Sequence, residues 1–183
     1  MKRKGFTLVE LLIVIVVIGI LSAMMMLSST EAVTSANASN IVSNLRNLKT
    51  AALAFYVDNL DYLEKTDAGT TNGLHFADVA ADATNGNPAR KGIRAYLNEG
   101  NGTVDNNKFT TGGFTYEIEA KQRDNGGDKL ADAKWYLKCT VSDTKVQQKL
   151  AGRAKSVGLL SAVSDKDTET NYSSGADVYY LVR

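Results

Sequence analysis

The sequence predicts an α+β fold in which one long N-terminal helix packs on a small antiparallel sheet. Three observations predict it. From Phe6 to Ala68 there is no proline and a single glycine, Gly19, so nothing in that stretch forces a helix to stop. The run Leu11–Leu27 is apolar, and the pattern beyond it becomes one-sided at helical spacing. Later in the chain the apolar period falls to two, the period of a half-buried strand.

The helix is expected to run from near Phe6 to about Leu63, a length on the order of 85 Å. Its first part, Phe6 to Leu27, would be roughly 33 Å long, close to the ~30 Å hydrocarbon core of a bilayer. Its second part is amphipathic. Ile41, Leu45, Leu48, Ala52 and Phe55 form one apolar stripe, with Ser43, Asn44, Asn47 and Lys49 off it. One helix thus joins an anchor to an exposed domain. An irregular region follows, rich in Asp, Asn, Gly and Thr, with short helices expected at Phe76–Ala83 and Lys91–Glu99. Pro88, the single proline, marks the turn between them. Phe114, Tyr116, Ile118 and Ala120 then alternate with polar residues, as do Trp135, Leu137, Cys139 and Val141. These read as two strands joined by a loop around Asp124–Asp132. Asp143 to about Val157 reads as a helix, and Val178, Tyr180 and Val182 as a last strand.

The chain has 183 residues, enough for an anchor and one modest domain. Its formal charge is +1, which gives no support to nucleic-acid binding. One cysteine, Cys139, excludes an intrachain disulfide. It lies on the apolar register of its strand, as a buried, inert thiol would. His75, the single histidine, is placed in a loop, and a Cys-His catalytic pair would need the two to meet. Phosphate loops, zinc spacings and hydrolase elbows are not found. The sequence therefore points away from an enzyme, and no cofactor is expected.

The most informative stretch is Lys4-Gly5-Phe6-Thr7-Leu8-Val9-Glu10, which leads directly into the apolar run. A basic head, Lys2, Arg3 and Lys4, favours a cytoplasmic N-terminus. Glu10 sits almost at the start of the span, and a carboxylate there is costly unless it has a function. A plain single-pass anchor explains the length of the run, but neither Gly5-Phe6 nor Glu10. A removed secretory signal, cut near Leu21-Ser22-Ala23, explains the head but not the length.

This N-terminus resembles that of bacterial type IV prepilins and the related type II secretion pseudopilins, over residues 1 to about 30. The resemblance implies a pilin-like fold and a leader, residues 1–5, cut between Gly5 and Phe6 by a prepilin peptidase. It also implies N-methylation of Phe6 and assembly into a filament with the apolar helices at its centre. Residues 6–28 are then the transmembrane and filament-core segment, and 29–183 the globular domain with the amphipathic half of the helix. Taking Lys2, Arg3 and Lys4 from the 21 Lys+Arg leaves 18 against 20 Asp+Glu, a formal charge of −2 after cleavage. The cut frees an amine at Phe6, and Glu10 lies four residues on, on the same helix face. Glu10 is expected to pair with the amine of a neighbouring subunit and fix the axial register. Gly19 and Ala23 form a small-x-x-x-small pair for close helix packing. Met24, Met25 and Met26 fill gaps at the outer membrane edge.

The partners implied are copies of the chain and related pilins, the peptidase and methyltransferase, an inner-membrane assembly platform, and the bilayer before assembly. The location implied is the inner membrane, then a surface pilus or a periplasmic pseudopilus. The chain lacks two features of many major pilins: a proline soon after the glycine of the anchor, and a disulfide closing the last loop. A type IV pilus subunit and a secretion pseudopilin both stay open, with the size of the domain favouring the first. A secreted binding protein and an adhesin at a fibre tip are the rival readings.

Three surface features remain. Asp165, Asp167, Glu169 and Asn171 alternate as oxygen ligands do in a calcium loop, and some pseudopilins bind calcium in a late loop. Here Thr170 replaces the turn glycine and Ala176 stands where a bidentate Glu belongs, so the stretch reads as a solvated acidic turn. Lys145, Lys149 and Arg153 recur every four residues and read as an exposed basic ridge. Asn37, Asn101 and Asn171 each open an N-x-S/T triplet, a chance match behind a bacterial-type leader.

Overall fold

A computed structural model describes residues 5–68, 74–81, 89–97, 102–121, 128–162 and 169–183. Helix α1 spans Leu8–Asp58, 51 residues, and α2 spans Leu60–Leu63. Among the described residues, strands β1 (Thr103–Asp105), β2 (Lys108–Thr111), β3 (Phe114–Lys121) and β4 (Lys134–Thr140) precede helices α3 (Thr144–Ala151) and α4 (Ala154–Val157). Strands β5 (Leu159–Ala162), β6 (Thr170–Asn171) and β7 (Asp177–Leu181) follow. They form one sheet of order β1-β2-β3-β4-β7-β5-β6, antiparallel throughout. The architecture is α+β and pilin-like, as expected.

The second half of α1 lies across this sheet. Ile41, Leu45, Leu48, Ala52 and Phe55 are all buried, against Tyr116, Ile118, Trp135, Leu137, Cys139 and Val178. Phe55 and Tyr56 both pack on the Trp135 ring, with centroids 6.3 and 5.5 Å away. The alternation on β3 and β4 places Tyr116 opposite Cys139, Ile118 opposite Leu137 and Ala120 opposite Trp135. Tyr136 breaks the pattern. It points to the other face yet is buried, and its hydroxyl donates to Glu169 Oε1 at 2.7 Å.

The helices differ from expectation at their ends. The first helix does not run unbroken to Leu63. Asn59 interrupts it, its side-chain amide and its backbone N–H both donating to the Phe55 carbonyl. The late helix starts at its Asp143 cap and divides at Gly152-Arg153. It ends on Gly158, whose φ of 83° suits a glycine C-cap. The helix expected at Phe76–Ala83 does not form over the described part. There Phe76 N–H donates to the Asn106 carbonyl, and Val79 exchanges hydrogen bonds with Arg90, so tertiary pairing overrides local propensity. Over the described part of the helix expected at Lys91–Glu99, a 3₁₀ turn forms instead, Ile93–Tyr96. The expected loop over Asp124–Asp132 is described from Asp128, and Lys129 there bridges to Asp67. Pro88, Asn101, Asp165 and Asp167 lie outside the described residues.

Two hairpins were not anticipated. Asn106, at φ 51°, turns β1 into β2, and Gly112 and Gly113, at φ 59° and 80°, turn β2 into β3. Gly112-Gly113 has the positive φ at both central residues that suits one kind of two-residue hairpin, whereas in the Asn106-Asn107 turn only the first residue has it.

Candidate functional site

The N-terminal half of α1 is the feature that the domain does not explain. Thr7 caps the helix. Its hydroxyl accepts from Glu10 N–H at 3.3 Å, while its own N–H and hydroxyl each donate to Glu10 Oε2 at 2.8 Å. This reciprocal pairing follows from the T-x-x-E spacing. It fixes the carboxylate at the first turn of the helix and leaves Oε1 without a partner among the described residues. Phe6 is exposed just before the cap.

From Leu8 to Met26 the helix buries nothing within the chain. Leu8 stays 79% exposed and Met26 77%, and every large apolar residue between them is exposed. The helix is long and apolar enough to cross a membrane, by length and composition. Water is a poor solvent for such a surface, so it calls for lipid or for other apolar helices. Gly19 stands in the open, and a Cβ there would meet no atom within 4 Å. The Gly19–Ala23 face is therefore free to receive a neighbour rather than packed in its own subunit.

The remaining candidates fall apart as sites. Cys139 is fully buried under α1, and burial pushes its thiol up to about 12. Burial also raises the neighbouring Tyr116 hydroxyl, which accepts from Asn44 Nδ2 at 3.0 Å. His75 lies in a loop, as expected, and is buried there, with Nδ1 3.1 Å from Asn106 Oδ1 at the β1–β2 turn. The structure thus does not pair His75 with Cys139. Lys145 and Lys149 are exposed as expected, but Arg153 leaves the ridge. It turns to α1 and donates to Ser39 Oγ at 2.8 Å and Ser35 Oγ at 3.4 Å. Asn37 is half-buried in α1 and Asn171 is exposed in β6. Among the described residues no cluster of His, Cys, Asp or Glu could hold a metal ion. A cavity of about 270 Å³ beside α1 is lined by Asn44, Asn47, Tyr96 and Phe109, without convergent acids or bases.

The outer face of the sheet carries a charge ladder that strand alternation foreshadows. Glu117 lies between Lys108 at 3.1 Å and Lys138 at 2.9 Å, and Lys138 also reaches Glu119 at 3.6 Å. Burial raises the Glu117 carboxyl, but the two ammonium groups outweigh it and hold the group below its usual range. The hydrogen bond to Glu117 raises Lys138.

Comparison with known proteins bears on the same N-terminus. Residues 1–26 match the family model of the prokaryotic N-terminal methylation motif. Fimbrial protein Q of Moraxella bovis is 31% identical over 147 residues, covering 76% of this chain and 87% of the relative. No solved structure matches the chain.

Proposed function

We propose that this chain, which belongs to the type IV pilin family, is a structural subunit that polymerises through the exposed apolar half of α1. In this reading the precursor sits in the inner membrane as a single span. A prepilin peptidase removes residues 1–5 by cutting between Gly5 and Phe6, and Phe6 is N-methylated. Residues 6–28 then pass from lipid into the core of a helical filament, and residues 29–183 form its outer wall. The assembly platform and related pilins supply the machinery and the neighbouring subunits.

One observation carries the proposal. A single helix buries its second half in its own domain and leaves its first half bare. Burial of that bare surface among copies supplies cohesion without direction. Register needs a polar group, and Glu10 is the acid at that end of the span. The Thr7 cap holds Oε2 and leaves Oε1 for the Phe6 amine of a neighbour. The close approach at Gly19 and Ala23 lets the helices pack tightly. Among filaments of this kind, the fimbrial relative and the size of the domain favour a pilus over a secretion pseudopilus.

Glu10→Ala tests the reading. The variant should enter the membrane and be processed like the parent, yet yield few sheared filaments by electron microscopy. Normal filament numbers would remove Glu10 from the mechanism. Mass spectrometry of the mature N-terminus should give methyl-Phe at residue 6, whereas a start near Met24 would indicate secretion instead.

A further inference from the structure

The elements of the domain meet α1 at successive heights. Highest are Phe55 and Tyr56, against Trp135 and Arg183. Below them Lys49 Nζ donates to the Leu181 carbonyl, and below that Asn44 donates to Tyr116. Helix α3 and the turn after it meet α1 lowest. Arg153 bonds Ser35 and Ser39, while Asp143, Thr144 and Lys145 share a groove with Ser29, Thr30, Val33 and Thr34. At 1.5 Å per residue, Thr30 is about 5 Å and Ser39 about 18 Å beyond Leu27, where the apolar run ends. The headgroup layer of a bilayer is roughly 5 to 8 Å deep on each side. The start of α3 therefore stands at headgroup height whenever the span is in lipid.

The exposed face of α3 has the matching chemistry. Val146, Leu150 and Ala154 are buried every fourth residue, and Lys145, Gln148 and Lys149 are exposed between them. Lys108, Lys121, Lys134 and Lys138 on the sheet are all ion-paired. Lys145 and Lys149 have no ion pair among the described residues. Two acids share this height. Asp143 is engaged as the cap of α3, accepting from Lys145 N–H at 2.8 Å and Val146 N–H at 3.4 Å, and Glu31 is exposed on α1.

We propose that the Lys145–Lys149 face of α3 docks on anionic phospholipid headgroups and holds the domain against the membrane until the subunit is extracted. This rests on the membrane-anchored reading above. Entry into the filament must then break the lipid contact, so the face also sets how readily a subunit leaves the pool.

The test uses the full chain reconstituted in phosphatidylcholine vesicles with and without phosphatidylglycerol. A fluorophore on Gln148→Cys, with Cys139 shielded by burial, is quenched by lipids carrying a headgroup nitroxide. Quenching should be stronger with phosphatidylglycerol and should weaken with salt. Lys145→Gln with Lys149→Gln should lower the preference for anionic over neutral vesicles roughly 30-fold. A fluorophore on Val57→Cys, exposed on α1 roughly 45 Å beyond the span, should stay unquenched. Equal quenching with both lipids, or quenching kept by the double variant, overturns the proposal. So does quenching that tracks protein density rather than lipid charge, which would assign the face to a second copy. A chain that does not float with either vesicle overturns the anchor and this proposal together, whereas floating without quenching at Gln148→Cys overturns the proposal alone.

Discussion

Arg183→Ala should loosen the join between the sheet and α1. The Arg183 guanidinium lies 3.9 Å from the centroid of Tyr56 and 6.0 Å from that of Trp135, and donates to the Ala131 carbonyl. The backbone continues the lock, with Trp135 N–H donating to the Arg183 carbonyl and Val182 N–H to that of Trp135. A half-buried cation on an aromatic face contributes about 1 kcal/mol. A hydrogen bond from a charged group contributes about 1.5 to 3 kcal/mol. The backbone bonds survive the substitution, so the loss should be about 3 kcal/mol. For a domain of this size each kcal/mol moves the melting temperature by roughly 2 to 4 °C, giving a drop of about 6 to 12 °C. Thermal unfolding of the full chain in detergent, followed by circular dichroism and by fluorescence, measures it. Trp135 is the single tryptophan, so its emission reports on the join itself. Arg183→Lys should recover less than half of the loss, because an ammonium lacks the planar fork that stacks and donates together. A drop under about 2 °C, or full recovery by Lys, would refute the clamp.

Four further outcomes are expected. Glu117, held below its usual range, contributes stability that is full above the unfolded carboxylate value of about 4.3 and is lost as pH falls through the folded value. Lys138, held above its usual range, contributes stability that is full below about pH 10.4 and is lost as pH rises through its folded value. Glu117→Gln should flatten the acid limb of denaturant stability measured between about pH 5 and pH 3, and an unchanged limb would discount the ladder. Gly92→Ala should destabilise by about 1 to 3 kcal/mol in the same melts, since a Cβ there would lie 2.2 Å from the Ala77 carbonyl oxygen. Cys139, with its thiol near 12, should ignore Ellman's reagent in the native chain at about pH 8 and react once the domain is unfolded.

The sequence reveals α1 because Phe6 to Ala68 holds no proline and a single glycine, and reveals its buried stripe because apolar residues recur at helical spacing from Ile41 to Phe55. It reveals β3 and β4 because alternation persists for eight and seven residues. Strands β1, β2, β5 and β6 run only two to four residues, too short for a period to register. Their turn signals, Asn106-Asn107 and Gly112-Gly113, were nevertheless present. The Thr7–Glu10 box was equally legible from its spacing, although the link from Glu10 to the Phe6 amine is the more obvious one to draw. The Arg183–Tyr56 stack and the buried Tyr136 were not legible, because each joins residues far apart in the chain. The segment Phe76–Ala81 carries helical propensity, and only tertiary partners, Asn106 and Arg90, decide against it.

The sheet terminates on one side in the three residues of β1 and on the other in the two of β6, beside a register shift in β5. Long open margins would let neighbouring molecules zip together through their backbones, a permanent fusion rather than a reversible stack. Stubby, interrupted margins deny that route. In the filament proposed above, where copies would lie side by side, such margins would keep contacts between domains from setting into amyloid.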